Sequence, residues 1–276
     1  MWEATERVHA TGYFAPETAE EAAKVGVEHG WANYFATRAA PLGAVQPAAV
    51  LATFFYFAPR RVARFVPAVW EQATPERILE ARYRSMDRIL RRHLGAVATG
   101  PEVRRANELL RRAVHGCSPV GRVLFAGWAA LDWPDEPHLG LWHGCTLMRE
   151  YRSGNHLHAL CQHGLDGCES VVSHAAVGGA PEAWIRAEGG WLPDDVDRAI
   201  DRLQARGWLD GAGNATEAGH EGRASVERLT DELDRPVWEQ LGDEDCNELF
   251  AVLSELASNF GPDDQLDWQT RPEAKA

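Results

Sequence analysis

Between one glycine or proline and the next, this chain repeats its apolar residues at every third or fourth position almost throughout, and that period commits it to helices. Pro16-Glu17 opens one, GWANYFATRAAPLG a second, and the apolar run from Pro47 to Phe57 predicts a buried third before Pro59. Thr74-Pro75-Glu76 combines a cap, a first-turn proline and a first-turn acid, so a long amphipathic helix is expected through Leu94 to Gly95. A further helix spans Glu102 to Val114. Another runs from about His138 to Tyr151, where Ser153-Gly154-Asn155 is expected to break it. Asn155 then caps HLHALCQHG, and Asp166 caps GCESVVSHAAV.

After Gly190 the order of parts changes. Pro193 to Arg206 reads as a helix, then Trp208–Asp210 and Asn214–Thr216 as two short strands about a glycine turn, with Thr216 capping a long helix. Helix, hairpin and long helix make the wing portion of a winged helix-turn-helix, with the two helices after Asn155 as its first members. We therefore expect a mostly α protein: a helical N-terminal lobe over 1–132, a winged-helix-like domain with a short β-hairpin wing over 133–262, and an acidic tail over 263–276.

Length and composition fit that expectation. With 276 residues, 45% of them hydrophobic, the chain can bury one large core or two modest ones. It carries no signal peptide and no apolar run approaching the ~18 residues a membrane span needs, so a cytoplasmic protein is expected. Five cysteines without CxxC spacing make no disulfide framework.

The net charge of -13 is uneven: residues 1–189 hold 20 basic and 20 acidic side chains, and residues 190–276 hold 8 and 21. Thirteen arginines stand against six acids between residues 60 and 112, the one basic stretch, and pairs such as Glu80 with Arg84 read it as a solvated helix face.

The segment RLQARGWLDGAGNATEAG, followed by a helix such as VERLTDEL, resembles the ends of MarR-like winged-helix proteins. More broadly, ATRAAPLGAV, FYFAPRRVARFVPAVW and LDWPDEPHLGLWHGCTLMRE resemble a winged-helix (helix-turn-helix) family of high-GC bacteria, over most of residues 30 to 240. The resemblance implies a fold and not an activity. That family more often reads R-E-H-R-G-D-G-H where this chain has Arg149-Glu150-Tyr151-Arg152-Ser153-Gly154-Asn155-His156, so no role for a carboxylate at that turn carries over.

Duplex binding draws on Lys and Arg that release phosphate counterions. PDDVDRAIDRLQAR holds four aspartates against three arginines, and the loop DGAGN holds no basic residue, so the wing is expected to repel DNA. A MarR-like regulator working as a homodimer, with the positive charge supplied at the partner contact, is the alternative.

Six of the eleven histidines lie between His138 and His174, which invites a metal reading. Yet His156 and His163, like Cys161 and Cys168, are two helical turns apart, about 10 Å, and no HExxH or CxxC occurs; no metal is expected. Walker, GxSxG and GxGxxG motifs are absent, and nothing names a cofactor. The polar group that stands out in an apolar context is Arg149, Glu150, Arg152 and His156, beside Trp142. With Arg38 and Tyr56 from the aromatic N-terminal blocks, these residues are the candidate binding site for a small organic ligand: an arginine holds an anionic group and Glu150 orients it. An enzyme using Glu150 and His156 as acid and base is the remaining alternative.

Overall fold

The computed structural model describes residues 2–13, 15–28, 30–179 and 189–260, so the tail expected over 263–276 lies outside the described residues. Its α-helices are α1 (Trp2–Ala10), α2 (Pro16–Val25), α3 (Trp31–Ala39), α4 (Pro47–Leu51), α5 (Pro59–Phe65), α6 (Val69–Gln72), α7 (Pro75–Leu94), α8 (Pro101–His115), α9 (Val123–Ala129), α10 (Pro137–Gln162), α11 (Gly167–Ala176), α12 (Pro193–Ala205), α13 (Glu217–Leu241) and α14 (Asp243–Ala257). The mostly α expectation holds. Among the described residues no helix is long and apolar enough to cross a membrane.

The contacts divide the chain into two compact units, neither a continuous stretch. The first contains Met1–Val45, Val66–Gly154 and residues 234–260; the second contains Gln46–Phe65 and Asn155–Leu233. In the first, α1, α7, α8, α9, α10 and α14 close over Met86, Ile89, Leu90, Leu109, Leu110, Trp128 and Trp142. In the second, the end of α10 with α11, α12 and α13 surrounds Leu160, Leu165, Val171, Val172, Val196, Leu203 and Val226.

Where a local signal marks a helix end, the structure follows it. The Thr74 hydroxyl accepts from Arg77 N at 3.4 Å, and α7 stops at Gly95, whose φ of 53° suits the residue without a Cβ. Asp166 and Glu169 form a reciprocal capping box at the start of α11.

Three expectations are overturned. The hairpin wing is not there: the described residues contain no strand, only a single antiparallel bridge between Leu209 and Ala215. Asp210 folds the turn on itself, its carboxylate accepting from Ala212 N and Asn214 N at 2.9 Å each, and Thr216 donates back to Gly207 O at 2.6 Å. The segment between α12, ending at Ala205, and α13, beginning at Glu217, is held by these turn bonds and the one bridge. The expected break at Ser153-Gly154-Asn155 is also absent, since α10 runs unbroken to Gln162. A Cβ on Gly154 would sit 2.9 Å from Arg122 Cγ, so this glycine makes room for a side chain and the helix tolerates it. Finally, the helix expected from Pro47 to Phe57 ends at Leu51. Phe54 to Phe57 are aromatic residues that lose rotamer freedom in a helix, and Pro59 disfavours helical backbone at Ala58.

Candidate functional site

Four helices of the first unit bring their polar residues to one place. In α10, Trp142, Thr146, Arg149 and Glu150 follow the three-to-four spacing that shares a helix face. In α3, Tyr34 and Arg38 are one turn apart, and Arg38 Nη1 donates to the Tyr34 hydroxyl at 2.8 Å. Arg82 comes from α7 and His9 from α1, with Tyr13 just beyond it.

Glu150 is the negative centre. Arg38 Nη2 donates to both its oxygens, at 2.9 and 3.1 Å, and Arg149 Nη1 donates at 3.0 Å. Arg149 Nε lies 3.4 Å from Glu6 Oε2. The Glu150 and Arg38 side chains are 0% and 7% exposed, and that of Arg149 is 16%. Burial, the largest effect, pushes the Glu150 carboxyl upward, but the charges and hydrogen bonds of Arg149 and Arg38 together hold its pKa below the usual value. Glu150 is therefore a fixed carboxylate, pinned by two guanidinium groups, and not a group poised to exchange protons at neutral pH.

Arg82 is different. It is 3% exposed, donates one hydrogen bond, to Gly12 O at 2.9 Å, and is paired with no carboxylate among the described residues. Its guanidinium lies over the rings of Tyr13 and Trp142, 4.8 and 5.3 Å from their centroids. Burial, with Arg38 adding like charge, lowers its pKa to about 10, which still leaves it cationic at neutral pH. Gly12 permits the approach, since a Cβ there would meet Met86 Sδ at 2.1 Å and Arg82 Nη1 at 3.2 Å. The buried cluster thus holds three guanidinium groups against Glu150 and the partly exposed Glu6. Its unbalanced charge is positive.

Beside it runs a hydrogen-bonded chain of fixed direction. Thr146 donates its hydroxyl proton to Trp142 O at 2.9 Å, so its oxygen receives from His9 Nδ1 at 3.0 Å. His9 Nε2 is then the acceptor for the Tyr13 hydroxyl at 2.6 Å. Burial, reinforced by Arg149, Arg38 and Arg82, holds the His9 pKa well below its ordinary value, in accord with a neutral ring.

Of the residues expected from the sequence, the structure brings together Arg38, Trp142, Arg149 and Glu150. Arg152 turns to Asp234, at 2.7 Å. His156 and Tyr56 belong to the second unit, where His156 Nδ1 is 2.9 Å from Thr230 Oγ1 and the two rings are 6.4 Å apart. Sequence reasoning missed His9, Tyr13 and Arg82. The signal for Arg82 was present: it stands on the apolar stripe of α7 between Ile78 and Met86, where a helix facing solvent places no arginine.

The second unit settles what α12 offers. Each of its neighbouring arginines is engaged: Arg198 with Asp195 at 2.7 Å, Arg202 with Asp166 at 2.6 Å and Glu169 at 3.0 Å, and Arg206 with the carbonyls of His163 and Gly164 at the end of α10. Asp194, Asp197 and Asp201 face solvent. Among the described residues no group of three or more His, Cys, Asp or Glu side chains could hold a metal ion.

Helices α11 to α13 and the end of α10 pack about one small apolar core. Residues 1–265 match a helix-turn-helix family, and the chain belongs to that family. No curated protein and no solved structure matches it.

Proposed function

We propose that the protein is a cytoplasmic helix-turn-helix family member that binds a small organic anion at Arg82, and that its α12 does not hold duplex DNA. The observation that carries this reading is the buried Arg82 guanidinium with no carboxylate partner. A charge removed from water without an opposite charge costs several kcal/mol, and an anionic ligand offsets that cost where none of the protein's own acids does. The rings of Tyr13 and Trp142 against Arg82 favour a carboxylate on an apolar or aromatic body.

The test is calorimetric titration of the full chain with benzoate, acetate and inorganic phosphate, on the natural protein and on Arg82→Met. Benzoate is expected to bind most tightly. Arg82→Met should remove the tighter binding step while leaving thermal stability unchanged or raised, since an apolar side chain replaces an unpaired buried charge. Equal affinity in the variant would end the proposal.

Family membership favours a second reading, a DNA-binding regulator, for which we take the form of a MarR-like homodimer. Anisotropy titration of a mixed-sequence duplex at low salt decides it. Sub-micromolar binding that weakens steeply with added salt would establish the regulator, and the acid-bearing face of α12 predicts none.

A further inference from the structure

The second unit holds another buried cation that the first site does not use. Arg223 of α13 is 5% exposed, and its Nη2 is shared between Glu227 Oε1 at 3.2 Å and His174 Nδ1 at 3.3 Å. Its Nε and Nη1 are shielded from water and have no hydrogen-bond partner. Backbone and side-chain donors buried this deeply are nearly always satisfied, so three unmade N–H bonds on one charged group mark a place where something else is received. We propose that Arg223 is the anchor of a second anion site, inside the helix-turn-helix unit itself, that takes a monocarboxylate.

The neighbours set the ligand's charge. Glu227 already faces the guanidinium, and its own carboxylate would oppose a dianion such as phosphate more strongly than a monoanion. Because His174 Nδ1 accepts from Arg223, the neutral ring carries its proton on Nε2, and the ring also bonds the Gly179 backbone. His156 is oriented the opposite way: Thr230 gives its own proton to Val226 O at 2.8 Å, so His156 Nδ1 donates to Thr230. Tyr56 acts electrostatically on Arg223 and stacks near His156, which supplies an aromatic wall. Since Nε and Nη1 touch no open space, binding requires His174 or Tyr56 to turn aside, and the site is occupied by displacement.

The experiment uses the full chain carrying Arg82→Met, which silences the first site, with sodium benzoate and inorganic phosphate as probes at constant ionic strength. Benzoate is expected to raise the melting temperature of this protein, and adding Arg223→Met should remove the shift, with a loss of affinity of roughly tenfold or more for the lost charge-assisted bonds. The Arg223 Nε–H resonance, assigned by its disappearance in Arg223→Lys, should move on benzoate addition, a readout that does not depend on how well the methionine variant folds. The proposal is overturned if the shift is the same with and without Arg223, if the resonance stays in place, or if phosphate and not benzoate produces the effect. Failure of the Arg82 reading is a separate outcome: there the Arg82→Met change alone leaves the natural protein's affinity untouched.

Discussion

Glu150→Gln keeps the shape of the side chain and one acceptor oxygen but deletes the charge that faces Arg38 and Arg149. In the natural protein that carboxylate receives three hydrogen bonds of 2.9 to 3.1 Å from two guanidinium groups, in a position with 0% side-chain exposure. After the change, Arg38, Arg149 and Arg82 share one region with only the partly exposed Glu6 to oppose them. Breaking a buried pair by removing one partner costs about 3–5 kcal/mol. That is a large part of the roughly 5–15 kcal/mol that holds a typical domain folded. At about 2–4 °C per kcal/mol for a unit of this size, the melting temperature should fall by about 6–20 °C. Thermal and urea unfolding followed by circular dichroism measure it.

The pH dependence carries the same sign. The folded pKa of Glu150 lies below its unfolded value of roughly 4.3, so its stabilisation is complete above that pH and is lost as pH falls through the folded pKa. The difference between the natural protein and Glu150→Gln should therefore shrink on acidification. A loss under ~1 kcal/mol at neutral pH, or a difference that does not change below pH ~4, would refute the charge-compensation argument.

Other consequences of the packing are directly measurable. Gly12→Ala drives a methyl against Met86 Sδ and toward Arg82, which should cost about 1–3 kcal/mol in urea unfolding and weaken benzoate binding. Gly222→Ala places a Cβ 2.2 Å from Trp208 Cζ2, so the same order of destabilisation should come with a changed tryptophan emission spectrum; the ~1 kcal/mol gain in helix propensity does not offset it. Thr216→Ala removes both the cap received by Gly219 N and the bond to Gly207 O, an expected loss of about 1–2 kcal/mol by the same unfolding assay.

Most helix ends were legible because their signals are local: a threonine, a proline and an acid in sequence are enough to start α7, and Asp166 with Glu169 enough to start α11. Gly154 was misread for the complementary reason. Its meaning comes from Arg122, 32 positions earlier, and no periodicity reports a partner across that distance. The turn after α12 carries the residue types of a hairpin, yet Asp210 and Thr216 fold it on itself and it closes through a single bridge. Arg152 and His156 were joined to Arg149 and Glu150 by proximity in sequence, whereas a helix turns them to different partners, Asp234 and Thr230. Arg82 reaches Gly12 across 70 positions and His9 reaches Thr146 across 137, so half of the cluster is a product of tertiary folding.

The charges of the folded chain are unevenly partnered. Much of the arginine-rich stretch is paired with acids: Arg84 and Arg88 meet Glu21, Arg88 also meets Glu20, Arg92 meets Glu17, and Arg105 and Arg112 meet Asp245, with Glu248 completing the group. Those last acids come from α14, so part of the acidic excess of the C-terminal third is spent on the arginines of α8. What is left unopposed on the outer face of α12 is negative, at Asp194, Asp197 and Asp201. Inside, Arg82 has no carboxylate partner among the described residues and Arg223 shares one nitrogen with Glu227, and each is 5% exposed or less. A surface for phosphate backbones needs free cations outside, and the arginines at α12 are each engaged by a carboxylate or a carbonyl. Cations held inside, against aromatic rings and without full partners, suit a ligand small enough to be enclosed, and that is the physical reason the helix-turn-helix framework here is read as a receptor for small anions.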